Sequence, residues 1–146
     1  MALKDEGRRL EAGAYPFALT VPTRFGDMDP NRHLNNVAVS RLFEEGRVRF
    51  HMALREQHPD IGRPHFLVAH VAIDFLSEGQ YPGDVEVRIG IVAVGGASYR
   101  LAQGLFQQER AIALADTVLV HRAPDGPGSA ALPDALRAVL GGYAFG

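Results

Sequence analysis

From Val37 to Glu56 apolar residues return every three or four positions: Val39, Leu42, Phe43, Gly46, Phe50, Ala53 and Leu54. That spacing draws one face of an α-helix about 30 Å long, with Asn35 or Asn36 placed to cap its start. A single apolar stripe must be buried against something, and the rest of the chain offers strands. Ahead of the helix, Phe17, Leu19, Val21 and Thr23 alternate with Ala18 and Thr20, which predicts a strand from Tyr15 to about Phe25. Pro22 places that strand at an edge or a bulge. Behind the helix come four strand-like segments, His65–Ser77, Asp84–Val94, Ser98–Gln108 and Ala111–Arg122. Turn signals at Tyr81-Pro82-Gly83, Gly95-Gly96 and Gln107–Arg110 separate them. A strand, a long helix and four hairpin-linked strands predict an α+β domain, an antiparallel sheet wrapped on one helix.

Finer expectations follow. Gly46 costs helix propensity inside the stripe, so it predicts a close approach of helix to sheet. Arg41, Glu45 and Arg49 lie four apart on another face and can pair in solvent. His65–Ser77 alternates as Phe66, Val68, His70, Ala72, Asp74 against Leu67, Ala69, Val71, Ile73, Phe75, apolar on both sides. It should be covered on both faces. One helix covers only one, so the second cover is expected from another subunit. His70 and Asp74 are too far apart along a strand to touch and read as separately satisfied or interfacial groups. Residues 1–14 read as a loose arm or a short helical turn, 15–123 as the domain, and 124–146 as a linker with a short helix. That helix falls at Asp134–Leu140, with a flexible end at Gly141–Gly146.

Composition narrows the function. At 146 residues with 47% hydrophobic and 22% charged side chains, the chain can bury one real core. A net charge of −2 argues against a nucleic-acid partner. The absence of cysteine removes thiolate nucleophiles and cysteine metal sites. The charged N-terminus carries no secretory apolar core, and no apolar run approaches the ~20 residues of a membrane span. A cytoplasmic protein without a membrane partner is expected.

The densest chemistry lies between Asp27 and Asn36, where two carboxylates, a histidine and three carboxamides share ten residues. Pro30 biases Asp29 to an extended backbone. A carboxylate there can attack an acyl carbon or activate water, with backbone N–H groups of the following helix start as oxyanion donors. Asx-type turns explain Asp27 and Asp29 equally well from spacing alone. His33 can orient a carbonyl, exchange protons or merely hold the loop. Asn31, Asn35 and Asn36 can hold a water or carbonyl, but capping accounts for one of the last two. Glu44, beside Phe43, is the helix glutamate expected to face inward. No metal-ligand spacing and no phosphate-cradling glycine loop is present.

The run Phe25-Gly26-Asp27-Met28-Asp29-Pro30-Asn31-Arg32-His33-Leu34-Asn35-Asn36, followed by Arg41-Leu42-Phe43-Glu44-Glu45-Gly46-Arg47, resembles the hotdog-fold acyl-CoA thioesterases of the 4-hydroxybenzoyl-CoA thioesterase family. Val71–Leu76, Gly83–Arg88 and Val94–Ser98 fit the second half of that pattern, so the resemblance spans about Phe17 to His121. It implies a five-stranded antiparallel hotdog sheet around the helix, paired as a homodimer or tetramer with sites at the interface. It implies hydrolysis of an acyl-CoA or acyl-ACP thioester without a metal or redox cofactor. The catalytic carboxylate would be Asp29. Asp29-Pro30-Asn31-Arg32-His33 is also similar to plant acyl-ACP thioesterases, which implies polarising roles for Asn31 and His33 and an oxyanion donor at the Asn35 or Asn36 amide. Arg32 stands where some members carry glycine. Another branch places its carboxylate on the helix, which makes Glu44 the reserve. Hotdog hydratases space their aspartate and histidine five apart, not four, so hydration and non-catalytic acyl-thioester binding are the rival readings.

Overall fold

A computed structural model describes residues 2–146; Met1 of the expected arm lies outside them. The elements are β1 (Phe17–Pro22), α1 (Asn36–Gln57), β2 (Phe66–Phe75), β3 (Asp84–Val94), β4 (Ser98–Gln107), β5 (Arg110–His121) and α2 (Asp134–Gly141). The five strands form one antiparallel sheet in the order β1-β3-β4-β5-β2, with α1 packed on one face. This is the α+β arrangement that the order of elements predicted, and the hotdog architecture that the resemblance implied.

Burial explains why α1 seats where it does. Val39, Leu42 and Phe43 pack with Val85, Val87, Leu105 and Ile112, while Phe50 and Leu54 pack with Ile89, Leu101 and Leu136. Gly46 is the point of closest approach, since a Cβ there would overlap Val87 Cγ1. β1 lies at the sheet edge, as Pro22 demanded, but it stops at Pro22 rather than near Phe25. The carboxylate of Asp27 accepts the Arg24 amide at 2.9 Å and curls Phe25–Asp27 into a 3-10 turn.

Three expectations are corrected. The expected alternation of β2 breaks at a bulge between Val68 and His70. The register carries Phe66, Val68, Val71, Ile73 and Phe75 to the face shared with α1, and leaves His70, Ala72 and Asp74 outside. The C-terminal end is not flexible: the Ile91 amide donates to Tyr143 O at 2.7 Å, the Phe145 amide donates back to Ile91 O at 2.8 Å, and the Gly146 amide donates to Ala14 O at 3.0 Å. Nor is the outer face bare until a second subunit arrives. Three 3-10 turns of the arm and the tail cover it, with Ala14, Tyr15, Ala102 and Phe106 in a third apolar cluster under Phe145. Arg9 is buried there, its Nη2 lying 3.5 Å from Asp116 Oδ2, and Asp74 accepts the Leu3 amide at 2.7 Å. What stays open is the edge strand β2, where Leu67 and Phe75 are each 50% exposed and Val68 and Val71 are also exposed. No helix among the described residues is long and apolar enough to cross a membrane.

Candidate active site

The polar segment folds as a small hairpin closed by the bridge between Met28 and Leu34. Its organising group is Asp29. Oδ1 accepts the amides of Asn31 at 2.8 Å and His33 at 3.1 Å, while the Asp29 backbone exchanges bonds with His33 O and the Arg32 amide. Arg32 completes the turn at φ 65°, a left-handed conformation. Leu34 is buried against Gly79, whose carbonyl takes the Leu34 amide at 3.0 Å. The Asx turn and a chemical role are therefore compatible, because the turn uses only one carboxylate oxygen. Asp29 Oδ2 has no hydrogen-bond partner among the described residues, and the side chain is only half-buried.

Asp27 is the opposite case. It is 2% exposed, with Arg41 Nη2 at 2.6 Å and Arg24 Nη2 at 3.5 Å from Oδ1. Burial alone would push its carboxyl upward; the Arg24 amide and the Arg41 and Arg24 guanidinium groups outweigh it and hold the pKa below the ordinary carboxylate value. Arg41 is thus taken by Asp27, and only Glu45 and Arg49 pair on the helix surface, at 3.7 Å.

The helix start divides its labour. Asn35 is the N-cap, its side chain accepting the Ala38 amide at 2.7 Å, and its own amide donates to Asp27 O at 2.9 Å. The N–H groups of Asn36 and Val37 have no acceptor among the described residues. Of the two amides proposed from the sequence, only Asn36 is free to bind an oxyanion at the positive end of a 22-residue helix. His33 is half-buried with Nε2 2.9 Å from Glu78 Oε2. A proton on Nε2 serves that contact and leaves Nδ1 as the accepting nitrogen of the ring. Glu78, 45 positions away in sequence, carried no motif that could have linked it to His33. Asn31 is exposed, its side chain without a partner among the described residues.

Two hollows flank this loop. One, about 570 Å³, is walled by Phe25, Met28, Asp29, Arg32, Tyr81 and Pro82. Phe25 is 79% exposed and meets Tyr81 edge-on at 6.1 Å. The other, about 480 Å³, is a groove between α1 and β2 walled by Val37, Ser40, Arg41, Glu44, Arg47, Val71 and Ile73. Glu44 does not face the core; it is exposed along this groove. Among the described residues no three His, Asp or Glu side chains gather closely enough to hold a metal ion.

Comparison with known proteins gives a consistent picture. The model of the thioesterase-like superfamily matches residues 23–140. A structure described as a predicted thioesterase from Bacillus stearothermophilus superposes with TM-score 0.78 at 25% identity, over 88% of this chain and 96% of that one. A thioesterase from Thermus thermophilus, complexed with coenzyme A and Zn, superposes at 0.72 with 28% identity, over 86% and 98%. The PA5185 protein of Pseudomonas aeruginosa shares the fold, at TM-score 0.80 and 23% identity over 92% and 96%. No curated protein matches the chain.

Proposed function

The chain belongs to the thioesterase-like superfamily, and from that premise we propose that it hydrolyses acyl thioesters of coenzyme A or acyl carrier protein, with Asp29 as general base or nucleophile. The observation that carries the reading is one Asp29 carboxylate oxygen without a partner among the described residues, on the loop that leads into a helix start whose Asn36 amide is likewise without one. As a base, Asp29 takes a proton from water as the oxygen attacks the thioester carbonyl carbon. As a nucleophile, it attacks that carbon itself and water resolves the acyl-aspartate. Either way the carbonyl oxygen becomes an oxyanion, which the Asn36 N–H stabilises more strongly than the neutral carbonyl. Collapse breaks the carbon–sulfur bond, and the thiolate leaves with a proton. His33 and Asn31, on the same hairpin, orient the water or the carbonyl.

The two hollows support one direction for the substrate in this reading. The carrier's pantetheine arm lies in the aromatic hollow beside Phe25 and Tyr81, and the acyl group enters the groove between α1 and β2. A groove bounded by an exposed edge strand is incomplete in one protomer. A homodimer formed through β2 would both close it and bury Leu67, Val68 and Phe75.

The test is a thiol-release assay across short, medium and long acyl-CoAs, which the protein reads without background because it has no cysteine. Wild type should turn over, and Asp29→Asn should lose about 10³-fold or more in kcat. An asparagine at position 29 keeps an oxygen for the Asn31 and His33 amides, so the loop itself survives the change. Turnover undiminished in Asp29→Asn would remove Asp29 from the mechanism.

A further inference from the structure

The groove between α1 and β2 contains a cation that the fold does not neutralise. Arg47 is 9% exposed and lines the groove with Val37, Ser40, Glu44, Val71 and Ile73. The only hydrogen bond its guanidinium makes among the described residues runs from Nη1 to Gln103 Oε1 at 3.1 Å, and Gln103 is itself tied to Phe43 O at 3.0 Å. A guanidinium has five N–H donors, so most of its hydrogen-bonding capacity is unspent. No carboxylate among the described residues lies within ion-pair distance of it, although Glu44 is near enough to favour its charge. Arg41, the other arginine of this groove, is different: Asp27 holds it at 2.6 Å. A buried arginine without an anion is costly, and a groove that keeps one is built to receive one.

We propose that Arg47 binds a carboxylate at the far end of the acyl group, so that the preferred substrates are half-thioesters of dicarboxylic acids. The inference rests on the hydrolysis reading and adds the substrate class to it. The oxyanion donor at Asn36 and Arg47 lie eleven positions apart on one helix, about 16 Å along its axis. Side chains on a helix lean toward its N-terminus, so the arginine shortens that span. The remaining stretch, roughly 10 Å, suits a chain of about six to eight carbons between thioester and carboxylate. Val37, Val71 and Ile73 supply the apolar walls such a methylene chain needs. Burial pulls the Arg47 pKa down, but the guanidinium remains charged at neutral pH.

The experiment compares matched acyl-CoA pairs that differ only in charge: suberyl against 8-methylnonanoyl, and sebacyl against 10-methylundecanoyl. In each pair a branched methyl end copies the shape of the carboxylate. Wild type should favour the carboxylate member about tenfold or more in kcat/KM. Arg47→Met should collapse that ratio to about one or below, and Arg47→Lys should keep part of it. Equal or reversed preference in the wild type would overturn the assignment, as would a ratio that survives in Arg47→Met. Loss of the oligomer in Arg47→Met together with no wild-type preference would overturn it as well, assigning the arginine to the partner subunit. If no ester is cleaved, the hydrolysis reading falls separately. The intact esters are then compared by titration calorimetry. Tighter binding of the carboxylate members by wild type but not by Arg47→Met upholds the assignment, and equal affinities end it.

Discussion

One methionine separates Asp27 from Asp29, yet the two residues use their carboxylates in opposite ways. Asp27 spends both oxygens on the fold, on the Arg24 amide and on two guanidinium groups, and its carbonyl takes the Asn35 amide. It ties the end of β1 to the start of α1. Asp29 spends one oxygen on two amides of its own hairpin and keeps the other. Availability for chemistry is therefore set by what a carboxylate's oxygens are already doing. A motif that names both aspartates does not record that difference.

Asparagine at position 29 separates the two roles most sharply. It should abolish most activity, by about 10³-fold, while leaving the thermal midpoint within about 2 °C of wild type, because the Asx turn needs only one accepting oxygen. A large fall in stability would instead make Asp29 a second structural aspartate. Next in size is Asn36→Pro. Proline is tolerated at the first position of a helix, and the preceding Asn35 already has the extended backbone that proline requires, at φ −77° and ψ 161°. The change removes the free N–H together with the exposed carboxamide, so Asn36→Ala, which loses only the side chain, is measured beside it and should keep its kcat. Loss of about 10²–10³-fold in kcat with a near-normal melting curve is expected of the proline variant; unchanged kcat there would move the oxyanion donor elsewhere.

Asp27→Ala should invert the pattern, costing about 2–3 kcal/mol of stability, a figure held down by the partial exposure of its arginine partners. That corresponds to roughly 8 °C in the melting midpoint. The linkage has a definite sign. Because folding lowers the Asp27 pKa from its ordinary 3.8, its contribution is complete above that value and is lost as pH falls through the lower folded-state value. Wild type and Asp27→Ala should differ fully at pH 7 and converge from near pH 4 downward. A gap that persists in acid would mean that Asp27 acts through packing rather than charge.

The helix and four of the five strands were legible because periodicity reports burial directly. The stripe from Val39 to Leu54 and the glycine at 46 could hardly be read otherwise. β2 was legible as a strand but not in register, since a bulge at Ala69 leaves no signal in a run that is apolar on both faces. The arm and tail were illegible for a different reason. They cover the sheet with irregular backbone, and Arg9 reads as a solvent residue until Asp116 is found beside it. Within the candidate site, Asp29 stood out by residue type, while its spacing left an Asx turn and a chemical role equally open, and the helix start was visible from the apolar stripe that follows it. The division of labour between the Asn35 and Asn36 amides was not, because it depends on the Asp27 carbonyl being folded back to meet one of them. Arg47 stood in the sequence as one helix arginine among several, and only its burial against Gln103 sets it apart.

The smallest effect tests the seam between the two aspartates. Asn35 caps α1 through its side chain and touches Asp27 only through its backbone. Asn35→Ala should therefore cost about 1 kcal/mol, the usual value of an N-cap, and Asn35→Ser or Asn35→Asp should recover most of it. The acid convergence described for Asp27 should stay where it is, since the Asn35 amide survives each substitution. Fraying of the first turn would loosen the Asn36 N–H, so Asn35→Ala should also lower kcat by a few-fold, and the serine variant should restore kcat together with stability. Recovery of stability without recovery of kcat would show that the Asn35 carboxamide itself reaches the substrate, and would move it from the scaffold into the site.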